Sequence, residues 1–357
     1  MIDFIVEIPE GKTPVVLQLS DPQMLDASQA VSGRLSPGED TYWAKDKKEE
    51  RCFRYLRETV KSTAPDLILI AGDVVYGEFD HDGSALLSFI EFMDTLGIPW
   101  APVFGNHETE SRMGADWQCE QLARSKYCLF KQRTLTGNGN YTVGIKQGDK
   151  LLRVYYMMDS NSGYPSEASR ANGHTGHAAG FGEDQIAWYT ESIEALHRIS
   201  PETKISFTFH IALAAFEKAY ARYGYVRDRA SGVFPMEIDK MDATGGDFGI
   251  VMFPIDCWDK DFAVWNGFKA LGVDSVFVGH DHEVSASVVY EGIRCQFGLK
   301  SSTYDSNIYI NADGRPVKSW VPAGTPVIGG TVMELSCADG AIERAYHYYC
   351  KNVTFEE

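Results

Sequence analysis

VVLQLSDPQ, residues 15–23, runs apolar and then ends on a carboxylate, a proline and a glutamine. Val15, Val16, Leu17 and Leu19 carry the β-branched and apolar content of a buried strand. Pro22 has no N–H to give to a ladder, so the strand is expected to stop at Asp21. A charged group at the carboxyl end of a central strand stands where open α/β sheets bind ligands. One such Asp is equally well the cap of a turn, so the reading depends on whether the pattern repeats.

It repeats four times. DLILIAGD (66–73) ends on Gly72 and Asp73, and WAPVFGNHE (100–108) ends on Gly105, Asn106, His107 and Glu108. KISFTFH (204–210) ends on His210, and DSVFVGHDH (274–282) ends on Gly279, His280, Asp281 and His282. Between the first three runs lie helical patterns. KKEERCFRYLRETVKS (47–62) spaces Phe53, Leu56 and Val60 along one face, and SALLSFIEFMDTLG (84–97) does so with Leu86, Phe89, Ile90 and Met93. Strand, helix, strand, helix, strand is the order that builds a parallel sheet with its carboxyl ends aligned. The expectation is an α/β fold in which Asp21, Asp73, Asn106, His210, His280 and His282 converge along one edge. Carboxylate, amide oxygen and imidazole together suit Mn, Fe or Zn rather than a thiolate site. Two carboxylates and several imidazoles gathered at buried tips are costly without a cation to pair with.

Composition narrows the classes. The chain has 357 residues, 44% hydrophobic and 23% charged, with no linker-like or low-complexity stretch, so one domain over 1–357 is expected. Its motif core spans 15–300. A net charge of −17 argues against non-specific binding to nucleic acid and to anionic membranes. The seven cysteines show no close paired spacing, which fits buried thiols in a reducing compartment. No apolar leader core and no run long enough for a bilayer is present, giving a cytoplasmic location as the expectation. The oligomeric state is not legible.

The tips Asp21, Gly72-Asp73, Gly105-Asn106-His107-Glu108, His210 and Gly279-His280-Asp281-His282 resemble, in combined order, the signature of calcineurin-like metallophosphoesterases. FTFHIAL (207–213) is similar to the purple-acid-phosphatase branch. The resemblance implies a four-layer sandwich of two mixed β-sheets flanked by helices, with two metal ions (Fe, Mn or Zn) at the sheet edge. It implies that Asp73 bridges them, that Asp21 and His282 bind the first, and that Asn106, His210 and His280 bind the second. His107 would sit beside the substrate phosphate as clamp or proton donor, with Asn106 also near substrate. The reaction implied is hydrolysis of a phosphate ester, from a small molecule or a protein, by attack of a metal-bound hydroxide. A phosphomonoesterase leads. A phosphodiesterase, or a catalytically weak metal- or phospholigand-binding homologue with an impaired first site, is the alternative.

Gln23 is the departure, because the family pattern there is Asp-x-His with the histidine as a first-metal ligand. Tyr76, three residues after Asp73, stands at the offset where purple acid phosphatases place a tyrosine on ferric iron. Two readings stay open: Tyr76 ligates, or Tyr76 packs beside the site while Gln23 or water fills the gap. Residues 22–46, polar and rich in Gly, Ser and Pro, and residues 212–259, with Arg222, Tyr223, Arg227 and Arg229, are expected to roof the site. His174 and His177, in a glycine-rich stretch, are candidates for substrate contact, with an exposed loop as the alternative. EDQIAWYTESIEALHRI (183–199) reads as an amphipathic helix whose Trp188 belongs to the core. TVMELS and AIERAYHYY, within 327–350, read as a β-hairpin completing the second sheet. The two readings of Tyr76 separate in the visible spectrum. A charge-transfer band in iron-loaded protein that Tyr76→Phe abolishes marks ligation, and a colourless iron-loaded protein marks packing.

Overall fold

The computed structural model describes residues 2–30, 32–43, 45–161, 180–227, 236–238, 246–258, 262–302 and 305–350, with the side chains of 45–48, 236–238 and 258 outside the description. Two sheets face each other. The first has five strands in the order Ile342–Tyr349, Gly329–Leu335, Val15–Leu19, Leu67–Ile70 and Trp100–Pro102. The second has nine, in the order Phe4–Ile8, Tyr141–Gln147, Lys150–Met157, Lys204–Thr208, Val273–Val278, Ile293–Phe297, Val284–Tyr290, Phe248–Val251 and Met236–Ile238. Both are mixed: Val15–Leu19, Leu67–Ile70 and Trp100–Pro102 run parallel, and Gly329–Leu335 is antiparallel to the first of them. Lys204–Thr208 and Val273–Val278 are parallel to each other near the middle of the larger sheet.

Leu17, Ile68 and Val332 of the first sheet share one buried cluster with Val143, Tyr155 and Phe277 of the second. The interior between the sheets is thus apolar from both faces, as a sandwich requires. Helices Lys45–Thr63 and Ser84–Leu96 cover the outer face of the smaller sheet with Leu56, Val60, Phe89 and Met93. Helices Glu183–Ile199 and Phe262–Ala270 cover the larger one, with Tyr189, Ile193 and Phe268 against Phe207 and Val276. Trp188 is half-buried on that layer, its ring beneath the Arg133 guanidinium at 4.7 Å. Ser84–Leu96 has clear ends. The Asp80 carboxylate accepts from the N–H groups of Ala85 and Leu86, and Gly97, at φ 69°, closes the last turn on Asp94.

The tips belong to two mixed sheets, as the resemblance implies, with Lys204–Thr208 and Val273–Val278 paired with each other and not with Leu67–Ile70. Three expectations change here. The opening strand stops at Leu19. Ser20 keeps a single bridge to Lys300, and Asp21 turns to φ 50°, out of the extended region. The 329–349 hairpin completes the first sheet, not the second, since Thr331 pairs with Gln18 and Glu334 with Val15. Residues 22–26 are buried, with Met24 and Leu25 in the main core, and Trp43 joins them there, so in the described part of the 22–46 stretch the surface residues lie between 27 and 42. His174, His177 and Arg229 lie outside the described residues.

His347 ties the two sheets together. Its Nε2 donates to the Ser285 carbonyl of the larger sheet at 2.8 Å, which leaves Nδ1 as the acceptor for Thr331 Oγ1 of the smaller one at 2.9 Å. Burial pushes this imidazole down to about 4 from an ordinary 6.5. Its folded value lies below its unfolded one, so the stability it contributes is complete above pH 6.5 and is lost as pH falls towards 4. A His347→Gln protein should lack about 3 kcal/mol of that acid-side slope, read from denaturant unfolding at pH 7 and pH 4.

Candidate metal centre

The carboxyl ends of Val15–Leu19 and Leu67–Ile70 bring Asp21 and Asp73 side by side, and the edges of the larger sheet bring His210, His280 and His282 to the same spot. Donor atoms of Asp73, His210 and His280 lie within 4.8 Å of one another, and so do those of Asp21, Asp73 and His282. Asp73 is common to both groups. Asn106 joins the first of them, its Oδ1 3.0 Å from His210 Nε2. Asp21, Gln23, Asp73 and His280 all hold positive φ, the kind of strain that persists only where surroundings over-determine it.

The loops are locked to one another. Gln23 N–H donates to the Asp73 carbonyl at 2.8 Å and Met24 N–H to that of Val74 at 2.8 Å. Glu108, fully buried, accepts from the N–H of Gly105 at 2.7 Å and from that of Val74, so one carboxylate fixes the Asp73 and Asn106 loops together. Its carboxyl is pushed up to about 8 by burial and then by Asp73. Gly72, at φ 93°, lies so close to His210 that a Cβ there would stand 2.4 Å from the ring nitrogen. A Cβ on Gly105 would stand 2.2 Å from Asp73 Oδ1.

The donor chemistry fits a cation. His210 Nδ1 donates to the Ala71 carbonyl at 2.7 Å, so a neutral ring presents a lone pair at Nε2. That lone pair faces two acceptors, Asn106 Oδ1 and Asp73 Oδ2 at 3.1 Å. Three lone pairs aimed at one point require a positive charge between them. With only protons available, the ring takes one. Burial opposes it, but Asp73 and Asp21 outweigh burial and push His210 up to about 10. Burial likewise pushes Asp73 up, yet His210 and His107 outweigh it and the net shift is downward. Asp21 moves the other way, raised by burial, with Asp73 adding to the rise. His282 is held well below its ordinary value by burial and by the nearby Lys300.

His107 stands at the rim. Its Nδ1 meets Glu110 Oε2 at 2.7 Å, its backbone N–H donates to Asp73 Oδ1 at 2.9 Å, and its ring lies 4.1 Å from that of Tyr76. Burial lowers its pKa, but Asp73 and Glu110 together raise it to about 9. Tyr76 is a wall to this ring, and its phenol accepts from Arg34 at 3.5 Å. Asp281 accepts from Asp256 N–H at 3.0 Å, which sets the Asp256 carboxylate 3.5 Å from His280 Nε2. Gln23 is fully buried, and Lys300 Nζ donates to its Oε1 at 2.9 Å. Lys300, Glu110 and Asp305, the last 3.7 Å from His282 Nδ1, were invisible in sequence patterning.

The family model for calcineurin-like phosphoesterases matches residues 14–284. The chain belongs to the calcineurin-like phosphoesterase family. Within it, the chain is similar to two Arabidopsis thaliana proteins. One is named probable inactive purple acid phosphatase 14, 27% identical over 162 residues that cover 41% of this chain and 39% of the other. The second is named probable inactive purple acid phosphatase 28, 43% identical over 106 residues that cover 26% of this chain and 27% of the other. The chain thus matches well under half of either relative's length. A solved dimetal phosphatase from Danio rerio shares the fold, with a TM-score of 0.51 at 12% identity over 90% of this chain and 92% of that one. No helix among the described residues is long and apolar enough to cross a membrane.

Gly105→Ala should push Asp73 out of place. Calorimetric titration with Mn²⁺ should show affinity reduced by at least about tenfold, the scale for disturbing the groups that aim metal ligands.

Proposed function

We propose that this chain is a metal-dependent phosphoesterase acting on a phosphate monoester carried by a small molecule or a protein. The observation that carries this reading is the position of Asp73, one buried carboxylate shared by two groups of cation donors. Asp21 and His282 would hold one cation, and Asn106, His210 and His280 the other, with Asp73 between them. Cations bound there would acidify a coordinated water and neutralise charge developing on the phosphoryl oxygens.

The chain's own residues then have defined tasks. Glu110 fixes the His107 ring through Nδ1, leaving Nε2 to face the site, 3.9 Å from Asp73 Oδ2. A ring so held can give its proton to a leaving alkoxide or hydrogen-bond a phosphoryl oxygen. Tyr76 closes one side of that ring and restricts its rotation. Asp256, more than half exposed beside His280, borders the entrance with negative charge. The overall charge of −17 disfavours long polyanions as substrates.

A second reading, a weakly active protein that binds metal and phospholigand, draws support from the engagement of Gln23 Oε1 by Lys300 and from the word "inactive" in the relatives' names. Activity decides between them. Against a panel of phosphate mono- and diesters with Mn²⁺, Zn²⁺ or Fe, the phosphoesterase reading expects turnover that His107→Ala lowers by about 10²–10⁴-fold with cation content intact. Asp73→Ala should lose the cations themselves. Cation-loaded protein that turns over no ester in the panel would sink the first reading in favour of the second.

A further inference from the structure

Among the described residues, Lys300 is the one lysine at the centre of the site. It follows the strand Ile293–Phe297 and is 2% exposed. Ser20 and Lys300 form an isolated parallel bridge, and Ser301 N–H donates to the Ser20 carbonyl at 2.9 Å, so the backbone itself delivers this side chain beneath Asp21. Its Nζ has two acceptors, the Asp21 carbonyl at 3.2 Å and Gln23 Oε1 at 2.9 Å. Among the described residues no carboxylate oxygen lies within 4 Å of it.

An ammonium only donates, so its contact identifies the Gln23 atom it touches as the oxygen. The Gln23 amide nitrogen must then point the other way, and it is buried there with no hydrogen-bond partner. Lys300 takes one lone pair of the Gln23 oxygen and so competes with any cation for that atom, and an amide N–H₂ is no cation ligand. The Asp21, Asp73 and His282 group is left with those three donors and with Lys300 Nζ against the Asp21 carbonyl. The other group has Asp73, Asn106, His210 and His280, and among the described residues no lysine or arginine is bonded to any of these side chains.

We propose that Lys300 makes the two cation positions unequal. The Asp73–Asn106–His210–His280 position fills first and keeps its ion, and the Asp21–Asp73–His282 position fills only at higher cation concentration, because Lys300 competes for the Gln23 oxygen and repels the incoming charge. This rests on the phosphoesterase reading above and adds a regulatory property to it: occupancy of the Asp21–Asp73–His282 position responds to the free divalent cation level.

Calorimetric titration of metal-stripped full-length protein with Mn²⁺ tests this without any activity assay. The wild type should bind in two steps separated by at least about tenfold in affinity. His280→Ala should remove the tight step and His282→Ala the weak one. Lys300→Met should tighten the weak step by about 10–100-fold and leave the tight one in place. Gln23→Ala, which needs no change at the lysine, should leave both steps where they are. Two equal steps in the wild type, an unmoved weak step in folded Lys300→Met, or a Gln23→Ala protein whose binding falls tenfold or more would each overturn the inequality. A wild type that binds no Mn²⁺ at all overturns the metal-dependent reading instead.

Discussion

Asp73 is a carboxylate cut off from water, set on a left-handed backbone, with imidazoles and an amide oxygen converging on it. Burying such a charge is tolerated only when opposite charge is close. The rest of the site satisfies that condition. Protons on His210 and His107 balance Asp73 when nothing else does, and a cation can displace the proton on His210. The supporting groups hold the geometry rather than the charge. Glu108 clamps two loops through their N–H groups, and the backbone bonds between residues 23–24 and 73–74 clamp a third segment to them.

Much of this was legible in the chain itself, and the limits have physical causes. A strand that ends in Gly-Asp or Gly-His after a run of core residues announces both its burial and its cargo, so five tips were readable one by one. Which sheet each tip belongs to was not readable, because an apolar run looks the same whichever neighbour it pairs with. The 329–349 hairpin was recognisable from alternation and its turn, yet alternation says which side faces in and not which strand lies alongside. Residues 22–26 look like loop by composition and are buried because they pair with the segment after Asp73 rather than with a sheet.

The largest omission was Lys300. Lysine is rarely buried, and FGLKSS carries no metal-ligand spacing, so nothing in the pattern separates it from a surface residue. Glu110 is similar: its role depends on a helical turn after His107 that brings it back onto the ring. Gln23, by contrast, was visible as a departure from Asp-x-His, but its partner was not. The two residues explain each other only in three dimensions, where a donor-only ammonium and an amide oxygen meet 2.9 Å apart.

The pairing of Val15–Leu19 with Gly329–Leu335 also bears on how the protein is made. The strand that delivers Asp21 has Leu67–Ile70 on one side early in synthesis, but its other flank stays bare until residues 329–335 emerge. A nascent chain therefore carries an open, apolar β-edge from the emergence of residues 15–19 until that of 329–335, a state prone to wrong partners. The half of the centre built on Asp21 gains its second flank only at that point, so an unfinished chain does not yet present that donor set on a completed sheet.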